Sequence, residues 1–91
     1  MSFTYASVDD GDDPRGAADW QDRIDAWPAI RAYKQHARQQ LPAHGPVLDV
    51  GCGTGGDLAA LGVGRAVGLD PSVTMCRRAA ERGALVCRGD A

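Results

Sequence analysis

The stretch VLDVGCGTGGDL, residues 47–58, limits the folds open to this chain more than any other. A short apolar, β-branched run enters the turn GCGTGG, and the helix formers of DLAALG follow. The pattern reads as strand, tight turn, helix. A turn almost free of side chains lets another molecule approach the main chain closely. The first N–H groups of the helix that follows lack intrahelical partners and can meet an anion. Asp49 lies inside the apolar run, where an unpaired carboxylate is costly to bury. Backbone N–H groups or a cationic ligand at the turn would satisfy it.

The same rhythm continues to the end of the chain. RAVGLD reads as a second strand and ALVCRGDA as a third. Between them PSVTMCRRAAERG reads as a helix, with Ser72 as N-cap and Gly83 at its end. The order strand, helix, strand, helix, strand predicts a parallel sheet with crossover helices. Right-handed crossovers then place the three strands side by side in chain order. Asp49, Asp70 and Asp90 each fall at or next to a strand's C-terminal end, one β-α-β step apart. In a parallel sheet these ends share one rim, where ligands of open α/β folds bind. Asp49 beside the glycine turn suits the positive end of an amino-acid group. Asp70, about 20 residues beyond the turn, suits the two hydroxyls of a ribose. Asp90, one strand further out, suits the exocyclic amine of a purine. Amino acid, ribose and adenine in that order describe S-adenosylmethionine.

Ahead of this unit lie two helical patterns. In AADWQDRIDAW, Trp20, Ile24 and Trp27 form one apolar stripe. Pro28 ends that pattern and suits the first turn of a second helix. In PAIRAYKQHARQQL, Ile30, Tyr33, Ala37 and Leu41 share one face, and Arg31, Lys34 and Arg38 another. Residues 1–16 carry Asp9, Asp10, Asp12 and Asp13 and read as a flexible acidic leader. The division expected is therefore a leader at 1–16 and one partial domain at 17–91. Within that domain, helices occupy 17–42 and the β-α-β-α-β half occupies 46–91.

Ninety-one residues allow one domain. A net charge of −2 gives no basic face for nucleic acid. No apolar run approaches the roughly 18 residues needed to cross a bilayer. The N-terminus has no secretory pattern. Three cysteines with no C-x-x-C pair argue against a disulfide framework or a zinc site, so a reducing, cytoplasmic setting is expected. Cys52 reads as a small loop filler, because no activating base is identifiable.

VLDVGCGTGGDL, VGLDPSVTM and CRGDA resemble the first three motifs of class I S-adenosylmethionine-dependent methyltransferases, most closely the small-molecule, type 11-like branch. The resemblance covers about residues 28–91. It implies that Asp49, Gly51 and Gly53 surround the methionine end of the cofactor, with the backbone of Cys52 and Gly55 nearby. It implies that Asp70 holds the ribose and that Pro71 and Met75 pack on the adenine. Asp90 would take the adenine amine, and Ala91 would offer its backbone. Met75 suits core packing equally well. The helix before the first strand walls the pocket in related enzymes, so Tyr33 or Lys34 is placed to reach in. The resemblance implies no metal and assigns no catalytic residue here.

The implied fold is α/β, a Rossmann-like three-layer sandwich. The family's sheet has about seven strands and this sequence offers three, so the expectation is a truncated sheet. It would hold the cofactor side of a methyl transfer to a small-molecule acceptor and be inactive alone. An unpaired edge of the 46–50 strand would invite self-association. Two other readings stand beside this one. Gly51, Gly53 and Gly56 match G-x-G-x-x-G of NAD(P)-binding oxidoreductases, although Asp49 would repel a pyrophosphate. A non-catalytic module binding a partner through the sheet edge is the other.

Overall fold

The computed structural model describes residues 7–90. Three strands, β1 (Val47–Val50), β2 (Ala66–Asp70) and β3 (Leu85–Arg88), form a parallel sheet in the order β1-β2-β3. This is the order that right-handed crossovers require of the sequence pattern. The Val47 N–H donates to the Arg65 carbonyl at 2.9 Å, and the N–H groups of Gly51 and Cys52 both donate to the Leu69 carbonyl. Pairing thus continues past β1 into the glycine turn.

Among the described residues five helices complete the order: α1 (Ser7–Asp10), α2 (Pro14–Asp25), α3 (Pro28–Gln39), α4 (Gly56–Leu61) and α5 (Val73–Glu81). The crossover helices α4 and α5 cover one face of the sheet. Leu58 of α4 and Met75 and Ala79 of α5 are buried there. Gly68 of β2 allows this close approach, since a Cβ on it would lie 2.5 Å from Leu58 Cδ1 and 2.7 Å from Cys52 Sγ. Ser72 caps α5, its hydroxyl accepting the Met75 N–H at 3.1 Å, and Gly83 follows the helix with φ +86°.

The register sets Leu48 beside Val67 and Val67 beside Leu85, with Val50, Leu69 and Cys87 in the next row. These side chains alternate away from α4 and α5. Leu48, Val50, Val67 and Leu85 are 63%, 53%, 38% and 52% exposed. The described residues therefore build two layers of the Rossmann-like sandwich, helices and sheet, and leave the second sheet face open.

The leader differs from expectation. Residues 7–10 form α1, and α2 begins at Pro14, where Asp13 accepts the Gly16 N–H at 2.9 Å. The sequence predicts a flexible segment through residue 16, whereas 7–16 is helical in part and hydrogen-bonded to the body. Residues 1–6 lie outside the described residues. Partly exposed ion pairs fasten α2: Arg78 of α5 bonds Asp19 at 2.8 Å and Asp22 at 2.7 Å, and Arg82 reaches Asp22 at 2.6 Å. Burial raises the Asp22 carboxyl, but the Thr54 hydroxyl, Arg78 and Arg82 outweigh it and hold it below its ordinary value. Ala18 of α2 is fully buried, while Trp20 and Trp27 of the expected stripe stay half-exposed and meet edge to face at 6.2 Å.

Helix α3 also has two faces, and the charged one docks. Lys34 pairs with Asp25 at 3.0 Å, and Arg38 pairs with Asp57 at 2.6 Å. Tyr33 and Leu41 on the apolar face remain exposed and line, with Ala37, Leu48 and Leu61, a groove of about 320 Å³ beside β1.

Candidate functional site

At the C-terminal edge of the sheet a second cavity, of about 190 Å³, opens over the glycine turn. Its walls include Asp49, Gly51, Cys52, Gly53 and Met75, and also Gln21, Asp25, Lys34, Thr54 and Asp57. Five of the ten residues singled out from sequence thus meet in one place. The turn gives them room because Gly51 and Gly53 take φ of +73° and +56°, and a Cβ on either would meet nothing within 4 Å.

Three carboxylates, Asp25, Asp49 and Asp57, share this cavity with one ammonium, that of Lys34. Lys34 lies 3.0 Å from Asp25 and 3.9 Å from Asp57. Asp25 also accepts from Gln21 at 3.0 Å. Asp49 is half-buried. Desolvation first, and then the charge of Asp57, raise its carboxyl above the ordinary value; Lys34 opposes this and Asp70 adds to it. A carboxylate so placed lacks positive charge. Of the two residues expected to reach in from α3, Lys34 does so, while Tyr33 lines only the groove beside β1.

Cys52 is unsuited to nucleophilic work. Burial, then the carboxylates of Asp70 and Asp49, push its thiol up to about 12, so almost no thiolate forms at neutral pH.

Asp70 is placed differently from an open ribose acceptor. It is 0% exposed, and its Oδ2 accepts the Gly53 N–H at 2.8 Å while Oδ1 accepts the Ser72 N–H at 2.9 Å. Pro71 stands next to it, with its carbonyl accepting from Arg88 Nε at 3.2 Å. Met75 is both a core residue and a cavity wall, which joins the two roles open to it in sequence. Gly55 is buried against Ala79, below the cavity. Asp90 is exposed beyond β3 and does not line the cavity. Ala91 lies outside the described residues.

Gln21, Asp25, Thr54 and Asp57 join the site without having been singled out in sequence. Gln21 and Asp25 stand four apart on α2, on the polar side of the Trp20 stripe, a spacing that places them on one helix face. Asp57 opens α4, where a carboxylate reads as a favourable first-turn charge.

The set fits the zwitterionic end of a ligand that carries an amino-acid group. Excess negative charge suits an ammonium and a sulfonium, and Lys34 suits a carboxylate. The cavity is smaller than the roughly 300–1,000 Å³ of drug-sized ligand sites, so it suits that end and not a whole nucleoside.

No protein-family model matches the chain, and no curated protein does. Among solved structures, the crystal structure of an S-adenosylmethionine-dependent methyltransferase, possible histamine N-methyltransferase, from Thermotoga maritima is similar, with a TM-score of 0.55 and 32% sequence identity. The match covers 63% of this chain, which spans only 26% of that one. Among the described residues no helix is long and apolar enough to cross a membrane.

Proposed function

We propose that this chain is the S-adenosylmethionine-binding part of a class I methyltransferase acting on a small molecule. The observation that carries the reading is the cavity in which Asp25, Asp49 and Asp57 face one lysine above the glycine turn, at the C-terminal rim of a parallel sheet. The likeness to a methyltransferase of known structure adds to it.

Each residue then has a task. Asp49 and Asp57 attract the positive charge of the ligand's amino-acid end. Lys34, 3.0 Å from Asp25, is the cavity's ammonium for the ligand's carboxylate. Gly51 and Gly53 let the ligand lie on the main chain. The bound cofactor supplies a methyl group already activated on sulfonium, so rate comes mainly from holding donor and acceptor in line. These residues fix the donor side of that geometry.

The three carboxylates speak against the dinucleotide reading of G-x-G-x-x-G, since a pyrophosphate at this turn would meet negative charge. The test is a pair of thermal melts. S-adenosylhomocysteine is expected to raise Tm, and NAD to leave it unchanged. The reverse would replace the methyltransferase reading with an oxidoreductase one, and a shift with neither would favour a non-catalytic module.

A further inference from the structure

Arg31, Lys34, Gln35 and Arg38 follow one another on α3 at the spacing that puts side chains on one helix face. All four line a further cavity of about 380 Å³, together with Gly56 and Ala60 of α4 and Asp25 of α2. It is larger than the cavity over the glycine turn and falls within the roughly 300–1,000 Å³ of small-molecule sites. The α4 residues are small, which keeps it open; a Cβ on Gly56 would lie 3.4 Å from Asp25 Oδ2.

The charge of this cavity is the opposite of its neighbour's. Three cations and one carboxylate line it, in a chain whose net charge is −2. The ion pairs that seat α3 account for two of the cations, since Lys34 pairs with Asp25 and Arg38 with Asp57. They do not account for Arg31, which is exposed and has no ion-pair partner among the described residues. An uncommitted guanidinium offers paired N–H donors that match the oxygens of a carboxylate or a phosphate. Asp25 and Lys34 line this cavity and the one over the glycine turn alike, so the two share a wall. A molecule held in one therefore lies beside a molecule held in the other.

We infer that the α3 cavity holds the methyl acceptor by an oxyanion, a carboxylate or a phosphate, with Arg31 as its ion-pair partner. The inference rests on the cofactor reading above for what occupies the neighbouring cavity. Lys34 and Arg38 keep their carboxylate partners and add positive potential, while Arg31 makes the direct contact. The site selects small anionic acceptors over neutral or cationic ones.

The test is amide NMR of the full chain, titrated with inorganic phosphate in one arm and acetate in the other. Ionic strength is held constant with sodium chloride. The amides of Arg31, Gln35, Gly56 and Ala60 are expected to move together, and the arm with the lower Kd assigns the acceptor's anion. Arg31→Ala should raise that Kd about tenfold, the loss of one charge-assisted contact, and Arg31→Lys should recover part of it. Shifts no larger than those from chloride overturn the site, as does an Arg31→Ala Kd equal to the parent's. Titration in the presence of saturating S-adenosylhomocysteine should give the same Kd. Competition between the two would put the oxyanion on Lys34 in the cofactor cavity and overturn a separate site. Binding of S-adenosylhomocysteine without any oxyanion binding overturns this inference and leaves the cofactor reading intact. Oxyanion binding without S-adenosylhomocysteine binding overturns the cofactor reading, and the acceptor role of the cavity falls with it.

Discussion

The carboxylate of Asp70 accepts the N–H of Gly53 at 2.8 Å, so the last residue of β2 holds the turn that leaves β1. The same group accepts the Ser72 N–H and so also shapes the entry to α5. One buried side chain organises both loops of the rim.

Asp70→Ala is therefore expected to act first on stability. It leaves two N–H groups without their charged acceptor, and each such bond contributes roughly 1.5–3 kcal/mol. A loss of about 3 kcal/mol follows, read as a lower urea midpoint. An unchanged midpoint would mean that the two N–H groups find water instead. Asp70→Asn, which keeps one acceptor oxygen, should lie between the two.

The sheet order and the glycine turn were legible because both rest on local, periodic signals. Three apolar runs, two intervening helical stretches and a carboxylate at each run's end leave few arrangements. The environment of those carboxylates was not legible. Asp49 is half-buried, Asp70 sealed and Asp90 exposed, although all three share one sequence pattern. Strand position fixes which way a side chain leaves the sheet but not what packs over it. The partners of Asp25 and Asp9 were illegible for a related reason. Asp25 pairs with Lys34 across the α2–α3 junction and Asp9 with α5 more than sixty residues away, and an ion pair or cap between elements leaves no period in the sequence. In α3 the apolar face was read correctly as a face, yet the Lys34 and Arg38 side docks, because Asp25 and Asp57 wait there.

Acid should undo the Asp9 contact over a defined window. Partial burial raises this carboxyl, but hydrogen bonds from Ser72, Thr74 and Val73 outweigh it and lower it from the ordinary 3.8 to about 2. A depressed carboxyl stabilises the docked form above its unfolded value and loses that contribution as pH falls through its folded one. The amide resonances of Val73 and Thr74 should hold steady down to about pH 4 and then move together towards pH 2. Movement centred at or above pH 4 would show that Asp9 gains nothing from α5.

Gly68→Ala tests the packing of α4 on the sheet. Its Cβ would fall 2.5 Å from Leu58 Cδ1, 2.7 Å from Cys52 Sγ and 2.9 Å from Cys52 Cβ. Two of these atoms belong to the glycine turn, so relief must displace it. Overpacking of this kind costs about 1–3 kcal/mol. A fall in Tm is expected, together with weaker binding of S-adenosylhomocysteine. Gly55→Ala should be at least as harmful, since φ there is +84° and the Cβ would lie 2.9 Å from Ala79 Cβ and 3.2 Å from its Cα.

Asp49→Asn separates stability from binding, and the two should move in opposite directions. Desolvation and the neighbouring charges of Asp57 and Asp70 raise this carboxyl, so its ionised form disfavours the folded state. The sign follows from linkage: a carboxyl raised on folding costs stability above its folded value, and the cost disappears as pH falls below it. At pH 7 the neutral amide removes that cost, and Tm is expected to equal or exceed that of the parent. At pH 4 the gain should shrink, because the parent's own carboxyl is then partly protonated. Binding should weaken, since an ammonium loses one of its charged acceptors. The loss of one charge-assisted bond corresponds to about tenfold or more in Kd. Calorimetry with S-adenosylhomocysteine, run beside the melts, reads both effects on the same preparation. A variant that binds as tightly as the parent would remove Asp49 from the ligand's shell, and one that melts lower would show that its charge is already met within the protein.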